Sequence, residues 1–578
     1  MENSVLMLGN QALARGAYEA GVRVAVAYPG TPSTEITQEA AKYDEIHAQW
    51  APNEKVALET AIGASLGGAR TLCCFKHVGM NVAADPLFTS SYMGVNAGLV
   101  IVVADDPGMH SSQNEQDSRY YARSAHLPML EPSDSQEAVD FMKLAFEMSE
   151  KYDTPVVIRT TTRMAHSRGV VKTSARQDVP LREVVRNVRK NVMLPVNARG
   201  RHIVVEEREH TMADDANDMP INRIEWTEDR SVGVIASGIA YQYVKEAAPE
   251  IPVLKLGLVN PLPMELIQNF ADGVQQLIVA EELEPIFEEQ IKAAGIECEG
   301  KSLFSRQGEF STLIVKNALS GEEENAAPVT DLPARPPVMC PGCPHRATFQ
   351  VLSRLGVFVS GDIGCYTLGA LPPASAMHCS VCMGSSIPVA SGMERANPEL
   401  AKNTVSVIGD STFFHSGMTG LVDMVYNKTH GTLLILDNGT TGMTGHQDHP
   451  GTGRTLEGEY SPKVDFEKLA RAVGVEHVFV VDPFDMKKLE QTIREELSRE
   501  AVSVIICRRP CALLPGMRKA PLRVDPDRCR SCGKCLKLGC PALENHGGRP
   551  VINETLCTGC GLCARECAFG AISTEVEA

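Results

Sequence analysis

Short apolar runs alternate with helical patterns through residues 1–170. Strands are predicted at Val22–Tyr28, Thr71–Lys76, Leu99–Ala104 and Pro155–Arg159, and helices at Gln11–Gly21 and Val56–Ala69. Buried strands that alternate with helices are typical of a parallel α/β sheet. We therefore expect residues 1–170 to form one α/β domain.

Two more α/β patterns follow, separated by stretches of different composition. Strands at Val232–Gly238, Val253–Leu258 and Gln276–Ala280 define a second domain at residues 231–320, and a third domain spans residues 338–515. Residues 171–230 are charged and lack long apolar periodicity, which predicts a linker with local structure. The run 320–337, rich in Glu, Ala and Pro, predicts a second linker. A small domain is expected at residues 520–578.

Composition narrows the range of partners. Hydrophobic residues make up 43% and charged residues 22% of the 578 residues, as in ordinary globular proteins. The net charge of −17 argues against nucleic acid or an acidic membrane as the main partner. The first residues show no basic leader pattern, and no apolar run approaches the ~20 residues of a spanning helix. We expect a cytoplasmic protein, in which 18 cysteines indicate metal and redox chemistry rather than disulfides.

Eight of the cysteines form two compact sets near the end of the sequence. Their spacings are C-x2-C-x2-C-x4-C and C-x2-C-x2-C-x3-C, and eight thiolates are the ligands of two [4Fe–4S] clusters. In such folds the remote fourth cysteine of each run ligates the other cluster. The first cluster is therefore assigned to Cys529, Cys532, Cys535 and Cys567, and the second to Cys540, Cys557, Cys560 and Cys563. Zinc is the alternative for any C-x2-C pair, but interlocked triplets favour clusters.

Two polar residues follow neighbouring predicted strands of the third domain. Asp410 comes after the apolar run Val405–Ile408, and Asn438 comes after Leu433–Leu436. One βαβ unit separates them, which places both at the carboxyl edge of a parallel sheet, where such sheets bind ligands. A carboxylate, an amide oxygen and a backbone carbonyl suit Mg²⁺ holding a diphosphate. Gly409 would let the backbone approach the phosphates closely.

This arrangement resembles the metal motif of thiamine-diphosphate (TPP) enzymes, which is G-D-x followed one βαβ unit later by Asn. A GD turn and a DN turn also occur by chance, but the next run, Gly442–Gln447, is similar to that of the 2-oxoacid:ferredoxin oxidoreductases. The resemblance implies Mg²⁺ ligation by Asp410, Asn438 and the carbonyl of Thr440. It also implies cofactor contacts from Gly409, Ser411 and Gly384.

The same resemblance implies a second half-site in the first domain. In this superfamily a Glu contacts the cofactor's aminopyrimidine nine residues before the Gly of a G-A-S segment, and Gly63-Ala64-Ser65 selects Glu54. Glu59 lies five positions further on, about 140° around a helix, and is expected to be solvated or to cap. Thr31 matches the Y-P-x-T-P loop that faces substrate, with a helix-capping loop as the alternative.

Further cysteines resemble the ligands of a cluster that lies beside TPP in related oxidoreductases. The motifs are C-P-G-C, an I-G-C run and a late cysteine, which here fall on Cys340, Cys343, Cys365 and Cys511. Cys507 is the rival for the last place, and the alternative is that the chain carries no third cluster.

Less specific roles are expected for the remaining cysteines and for three histidines. Cys379 and Cys382 are expected to be small buried residues, with metal ligation as the alternative. Core thiols are expected at Cys73, Cys74 and Cys298. Three histidines lie in site-like loops: His345, His415 and His446. Each has two alternative roles, proton shuttling and ordinary hydrogen bonding.

The domain order extends the resemblance to nearly the whole chain. We expect an α/β protein with a TPP pyrimidine domain, a transketolase C-terminal-like domain, a TPP diphosphate domain and a dicluster ferredoxin domain. This order is similar to the alpha subunits of indolepyruvate:ferredoxin oxidoreductases. Matching runs are Tyr28–Thr34, Asn53–Arg70, Cys340–Arg346, Met383–Ser386 and Gly409–Gln447.

The resemblance implies a CoA-dependent oxidative decarboxylation of arylpyruvates to aryl-acetyl-CoA and CO₂, with electrons passed to an external ferredoxin. It implies TPP, Mg²⁺, at least two [4Fe–4S] clusters, and a beta subunit in a heterotetramer of two alpha and two beta subunits. The alternatives are oxidation of another 2-oxoacid such as pyruvate or a branched-chain one, a non-oxidative TPP decarboxylase or carboligase, and an electron-transfer subunit with a degenerate TPP site. Neither nucleic acid nor a membrane is an expected partner.

Overall fold

The structure is a computed structural model that describes residues 3–321, 333 and 336–574. Most of the predicted linker 320–337 lies outside these residues. The chain divides into two compact units, Met1–Thr330 and Asp331–Ala578. The predicted α/β class is confirmed in both units. None of the described helices combines the length and apolar character needed to cross a membrane.

The described part of the first unit alternates strands and helices. Its strands are β1 (Asn3–Leu8), β2 (Val24–Ala27), β3 (His47–Trp50), β4 (Thr71–Lys76), β5 (Leu99–Asp105), β6 (Met129–Leu130), β7 (Val156–Thr161), β8 (Arg168–Thr173), β9 (Arg223–Glu225), β10 (Val232–Ser237), β11 (Val253–Leu256), β12 (Leu258–Asn260) and β13 (Gln276–Ala280). Its helices are α1 (Gly9–Glu19), α2 (Thr34–Ala40), α3 (Glu54–Leu66), α4 (His77–Val82), α5 (Ala84–Met93), α6 (Arg119–Ser124), α7 (Ser135–Tyr152), α8 (Thr162–His166), α9 (Val188–Asn191), α10 (Pro195–Ala216), α11 (Gly238–Ala247), α12 (Met264–Asp272), α13 (Ile286–Ala293) and α14 (Thr312–Ser320).

A seven-stranded sheet in the order β12-β6-β7-β5-β4-β2-β3 is the framework of this unit. Its strands run parallel except β12, which pairs antiparallel with β6. The central strand β5 is buried along its whole length, which explains its nearly continuous apolar sequence. Because β4, β2 and β3 are parallel neighbours, the loops that follow them share one edge of the sheet.

A smaller sheet in the order β13-β10-β11-β9 contains strands that were expected for a second domain. The predicted strand Val253–Leu258 is divided at Gly257, and its last residue belongs to β12 in the large sheet. A Cβ on Gly257 would lie 2.7 Å from the Ile221 carbonyl oxygen, so the close backbone approach requires glycine. This shared chain segment joins the two predicted domains into one unit.

The expectation of a linker at residues 171–230 is wrong where α10 runs for 22 residues. The buried positions of α10 are Val205, Arg208, Met212 and Ala216, spaced three or four residues apart. They form a narrow stripe that includes a buried arginine, while the rest of the helix mixes charged residues with apolar ones such as the exposed Val196 and Ile203. A wide apolar face is the usual sequence signal of a packed helix, and α10 lacks it.

The second unit is described by fewer elements. Its strands are β14 (Phe358–Ser360), β15 (Thr404–Gly409), β16 (Thr432–Asp437), β17 (His477–Val481), β18 (Ser503–Arg508), β19 (Arg523–Val524), β20 (Leu543–His546), β21 (Arg549–Ile552) and β22 (Ile572–Ser573). Its α-helices are α15 (His345–Leu355), α16 (Ser386–Ala396), α17 (Asp410–Thr412), α18 (Met418–Tyr426), α19 (Phe466–Ala472), α20 (Met486–Leu497) and α21 (Leu562–Glu566). A π-helical turn, Phe413–Gly417, connects α17 to α18.

A five-stranded parallel sheet, β14-β15-β16-β18-β17, is the framework of the second unit. The cysteine-rich module after it is small, and antiparallel pairing of β19 with β22 brings its ends together. The module is packed onto the sheet domain, because Leu538 and Leu562 belong to the same buried apolar cluster as Ala347 and Phe349. Its cysteines are therefore fixed relative to the sheet.

Candidate active site

Asp410 and Asn438 occupy one edge of the five-stranded sheet. They follow β15 and β16, which are parallel neighbours with Gly409 opposite Leu436. Both side chains are buried. The prediction that they share the carboxyl edge of neighbouring strands is confirmed.

The Asp410 carboxylate organises the loop that carries Asn438. Its Oδ2 accepts hydrogen bonds from the backbone N–H of Asn438 at 3.1 Å and of Gly439 at 2.8 Å. Its Oδ1 accepts the N–H of Ser411 at 2.9 Å. The Asn438 side-chain oxygen accepts the N–H of Thr440 at 3.1 Å. The three residues predicted to hold Mg²⁺ thus belong to one hydrogen-bonded turn.

Two buried imidazoles face this turn. His345 Nε2 lies 3.3 Å from the Asn438 side-chain nitrogen, and burial lowers the His345 pKa to about 4 although Asp410 opposes this. His345 is therefore neutral near pH 7. His449 Nε2 lies 3.2 Å from Asp410 Oδ2, within ion-pair distance, but has no hydrogen-bond partner among the described residues.

Asp362, at the end of the neighbouring strand β14, holds the loop that contains Gly384. Its carboxylate accepts the N–H groups of Gly384 at 2.8 Å and Ser386 at 2.9 Å. Burial raises the Asp362 pKa to about 6. Gly384 has φ +90°, and a Cβ there would lie 2.5 Å from the Ser416 Cβ. Sequence reasoning identified Gly384 but missed the carboxylate that anchors it.

The turn is chemically suited to Mg²⁺ and a diphosphate. Its donors are hard oxygens, which Mg²⁺ prefers. A carboxylate offers about four lone-pair sites, so Asp410 retains capacity beyond its three backbone hydrogen bonds. The buried Nε2 of His449 lacks a hydrogen-bond partner among the described residues, and a buried polar atom of this kind needs a partner such as a phosphate oxygen.

The four cysteines predicted as a third cluster site come together beside this turn. Electrostatic interactions connect Cys343 with Cys340 and Cys365, and Cys365 with Cys340 and Cys511. Asp410 also interacts with Cys365 and Cys511. These four residues, Cys340, Cys343, Cys365 and Cys511, are called the inner quartet below.

The rival cysteines have other interaction partners. Cys507 is buried within β18, and burial raises its pKa to about 12. Cys379 lies beside Ser360, with its sulfur 3.8 Å from the hydroxyl oxygen. The expectation that Cys379 and Cys382 are buried is wrong, because Cys379 is half-buried and Cys382 is exposed. The geometry favours Cys511 over Cys507 as the fourth member of the inner quartet.

The eight C-terminal cysteines separate into the two predicted sets. A cavity at the surface is lined by Cys529, Cys532, Cys535 and Cys567, called the outer quartet below. Cys563 interacts electrostatically with Cys540, Cys557 and Cys560, and these four are called the middle quartet. The cross-over of Cys540 and Cys567 between the two runs is thus reproduced. Among the described residues, no three His, Cys, Asp or Glu side chains converge tightly enough to hold a single metal ion.

The inner and middle quartets touch through Gly342. This residue has φ +77°, and a Cβ on it would collide with the Thr558 hydroxyl and lie 3.4 Å from the Cys560 Cβ. Cys563 of the middle quartet in turn interacts with Cys535 of the outer quartet. The three quartets therefore follow one another from the Asp410 turn to the surface.

The first unit places Glu54 and Thr31 after neighbouring strands. Glu54 begins α3 after β3, is buried, and lies so close to α4 that a Cβ on Gly79 would be 2.6 Å from the Glu54 carboxylate. Glu59 is exposed and forms an ion pair with Lys55, as expected of a solvated residue. The opposite exposures of Glu54 and Glu59 agree with their separation around the helix.

The loop after β2 carries Thr31, which is half-buried. The loop leads into α2, and the hydroxyl of Ser33 donates to the Gly30 carbonyl at 2.8 Å. A Cβ on Gly30 would lie 3.1 Å from the Lys76 Cβ. Lys76 is buried at the end of β4, and burial lowers its pKa to about 8 while Asp106 opposes this. Sequence reasoning missed Lys76 because only the fold brings it to the Thr31 loop.

Other predicted residues have simpler surroundings. His415 is buried in the π-helical turn, with Nδ1 2.8 Å from the Ser416 hydroxyl. His446 has φ +68°, and its Nε2 lies 3.8 Å from the Cys511 sulfur. Cys73 and Cys74 are buried core thiols as expected. Cys298 is half-buried and packs against the edge of the apolar core.

Comparison with known proteins places this geometry in a family. Residues 15–220 match the thiamine-diphosphate-binding family of pyruvate flavodoxin/ferredoxin oxidoreductases. Residues 362–507 match the C-terminal TPP-binding domain of thiamine pyrophosphate enzymes, and residues 549–572 match a 4Fe-4S binding domain. The chain is 41% identical to the indolepyruvate oxidoreductase subunit IorA of Methanothermobacter thermautotrophicus, over 99% of this chain and 98% of that protein. It belongs to the IorA family of indolepyruvate oxidoreductase subunits.

Other relatives agree with this membership. The IorA subunit of Pyrococcus horikoshii is 41% identical over 99% of this chain and 97% of its own length. The ketoisovalerate oxidoreductase subunit VorB of Methanothermobacter marburgensis is 24% identical over 52% of this chain and 93% of its own length. As a member of the IorA family, the chain is an oxidoreductase subunit with TPP-binding domains and a 4Fe–4S domain.

Proposed function

We propose that this chain is the TPP- and iron–sulfur-bearing alpha subunit of an enzyme that oxidises arylpyruvates such as indolepyruvate. In the proposed reaction, arylpyruvate, CoA and two oxidised ferredoxins give aryl-acetyl-CoA, CO₂, two reduced ferredoxins and one proton. The observation that carries the proposal is the direct succession from the Asp410 turn through the three cysteine quartets. A decarboxylase without electron transfer would have no need of that succession.

Asp410, Asn438 and the Thr440 carbonyl would hold Mg²⁺ and, through it, the diphosphate. Gly409, Ser411 and the N–H-rich loop at Gly384 would form the remaining wall of the cofactor site. TPP, when bound, supplies the electron sink that decarboxylation of a 2-oxoacid requires. Neutral His345 and the Nε2 of His449, which has no hydrogen bond among the described residues, would supply hydrogen bonds to the bound anion.

Glu54 would contact the aminopyrimidine and assist its proton transfers. Its burial fits this role, because a carboxyl group removed from water exchanges protons with a bound ligand rather than with solvent. Thr31 would face the 2-oxoacid. Lys76, whose side chain packs on the Thr31 loop at Gly30, would attract the substrate carboxylate.

Electrons would leave through three [4Fe–4S] clusters, held in turn by the inner, middle and outer quartets. Each cluster carries one electron at a time, so the two electrons of each turnover would pass singly to ferredoxin. A cluster in the inner quartet is supported by the mutual proximity of its four cysteines and by their proximity to Asp410.

The enzyme would also need partners. Relatives are named as subunits, which supports a smaller beta subunit, and we propose a heterotetramer of two alpha and two beta subunits in the cytoplasm. CoA would be the co-substrate. Oxidation of a branched-chain 2-oxoacid is the second candidate, favoured by the similarity to VorB.

A panel of 2-oxoacids tests the proposal. The two subunits would be co-expressed anaerobically, and viologen reduction would be measured with and without CoA for indolepyruvate, phenylpyruvate, pyruvate, 2-oxoglutarate and ketoisovalerate. We expect CoA-dependent reduction with the aryl substrates at a kcat/KM well above the others. A preference for ketoisovalerate would establish the second candidate, and CoA-independent CO₂ release without dye reduction would contradict both.

A further inference from the structure

The outer quartet lies beneath a basic surface. Residues 528–537 contain four basic residues and no acidic one, in a chain of net charge −17. The basic residues are Arg528, Arg530, Lys534 and Lys537, and all four are exposed. We call this stretch, residues 528–537, the outer loop.

The outer loop forms part of the wall of the cavity that the four cysteines line. Arg530 and Lys534 line the cavity together with the four cysteines and Phe569. Cys532 is exposed, and Phe569 is 48% exposed. An electron at this quartet is thus separated from solvent by little protein.

The positive charge of the outer loop is not neutralised within the described part of the chain. No ion pair there involves Arg530, Lys534 or Lys537, whereas Arg523 in the same module is paired with Glu554. The nearest acidic residues in sequence are Asp525 and Asp527, and Asp525 accepts the backbone N–H groups of Asp527 and Arg528. Unpaired cations around the exposed Phe569 side chain attract an acidic partner protein and steer its approach.

We propose that the outer loop, with Phe569, is the docking surface for an acidic one-electron acceptor protein. The proposal rests on the proposed function, because it assumes that electrons reach the outer quartet. Each transfer moves one electron from the metal centre held by Cys529, Cys532, Cys535 and Cys567 to the acceptor. The donor is oxidised, the acceptor is reduced, and no bond or proton is exchanged.

Charge complementarity favours an acidic acceptor protein at this surface over a second copy of the chain or a dye. A second copy carries a net charge of −17 spread over 578 residues, whereas a small acidic iron–sulfur protein concentrates its charge near its own cluster. Small-molecule dyes do not need an oriented complex. The outer loop should therefore matter more for a protein acceptor than for a viologen.

The test uses the co-expressed holoenzyme and an acidic 2[4Fe–4S] ferredoxin as the probe. Arg530→Glu/Lys534→Glu should weaken ferredoxin binding, measured by biolayer interferometry, by about tenfold or more in about 0.1 M salt. The difference should nearly vanish in about 1 M salt, where the Debye length falls to ~3 Å. Iron content should match the wild type, and viologen reduction should change by a smaller factor than ferredoxin affinity.

Lys463→Glu/Lys468→Glu is the matched control, because it makes the same charge change at exposed lysines far from the cysteine motifs in sequence. Its ferredoxin affinity should stay within about twofold of the wild type. Equal affinity in the Arg530/Lys534 variant, or an equal loss in the control, would overturn the docking proposal. Loss of the beta subunit with ferredoxin affinity unchanged would also overturn it and assign the surface to that subunit. Binding is measured without turnover, so an enzyme inactive on every 2-oxoacid would refute the proposed function while leaving this result readable.

Discussion

The backbone N–H of Cys511 donates a hydrogen bond to the carbonyl oxygen of Asn438, at 2.9 Å. One residue belongs to the turn that fits Mg²⁺, and the other to the inner quartet. A single hydrogen bond therefore joins the proposed Mg²⁺–diphosphate site to the inner quartet, the first proposed electron acceptor. Short separations of this kind allow electrons to leave without a mobile carrier.

Asp410→Ala should abolish TPP retention while leaving the C-terminal clusters intact. Removal of the carboxylate takes away a metal ligand and the partner of three backbone N–H groups. We expect Mg²⁺–TPP affinity to fall by at least about 100-fold, as measured by cofactor content after desalting and by titration. Asp423→Ala, at an exposed position of α18, is the control and should keep TPP. Full retention of TPP in the Asp410 variant would exclude this turn as the metal site.

Glu54→Gln should bind TPP but lose turnover. A neutral amide keeps the size of the side chain and removes its proton transfer, which typically contributes about 10²–10⁴-fold to rate. The measurement is kcat for dye reduction at saturating 2-oxoacid, with TPP content checked in parallel. Glu59→Gln changes the same residue type on the same helix at an exposed position and should be nearly silent. Normal activity of the Glu54 variant would show that another residue serves the cofactor.

Cys511→Ser and Cys507→Ser separate a cluster ligand from a core thiol. If the inner quartet holds a cluster, the first variant should lose about four iron atoms per chain and the matching electron paramagnetic resonance signal of the reduced enzyme. The second should keep all its iron, because Cys507 is buried in β18 and its thiol interacts with Thr348. Equal iron content in the wild type and both variants would leave the chain with the two C-terminal clusters alone.

Arg346 connects the inner and middle quartets, and its replacement should affect electron transfer. Its guanidinium donates to the carbonyls of Leu538 at 2.8 Å and Gly539 at 2.6 Å, and to Met339 at 2.5 Å. Arg346→Gln should reduce stability by ~1–3 kcal/mol, because buried carbonyls lose their donors. It should also make the inner cluster harder to reduce, since a nearby positive charge is lost.

Arg346→Lys distinguishes these two effects. Lysine keeps the charge but not the fork of donors, so the reduction potential should return towards the wild-type value while the loss of stability remains. Potentiometric titration and denaturant unfolding provide the two measurements. A potential that is unchanged in Arg346→Gln would limit Arg346 to a structural role.

Substrate affinity should depend on pH through Lys76. The pKa of Lys76 is lowered to about 8 by burial, so its ammonium group is charged below that pH and neutral above it. We expect KM for the 2-oxoacid to rise as pH increases above about 8, by up to about tenfold per pH unit. Lys76→Arg keeps its charge throughout this range and should flatten the rise. The same pH profile in both proteins would exclude Lys76 as a contact of the substrate carboxylate.

The sequence was sufficient for elements and motifs that act locally. Strands such as Thr71–Lys76 and Gln276–Ala280 were predicted with their observed bounds. The reason is that the polar residues on either side of a short apolar run mark both ends of the strand. Asp410 and Asn438 were placed on one edge because consecutive parallel strands determine it. Helix α10 could not be predicted, since its contacts depend on four scattered positions.

Other features need the assembled fold. The proximity of Lys76 to the Thr31 loop arises because β4 lies beside β2 in the sheet, although β3 comes between them in sequence. The choice of Cys511 over Cys507 depends on where β18 ends, since only three residues separate the buried Cys507 from Cys511, which hydrogen-bonds to Asn438. Asp362 was visible only as part of a motif, because its role is to anchor a loop more than 20 residues away.

The packing of Leu538 and Leu562 into the apolar core of the sheet domain has a kinetic consequence. Some enzymes with several redox centres carry electrons on a tethered domain that moves between the centres, and their turnover slows in viscous solvents. Here the cysteine-rich module shares its interior with the catalytic framework, so swinging would require that interior to open. Electrons should instead pass through a rigid structure, at a rate that does not depend on the viscosity of the solvent.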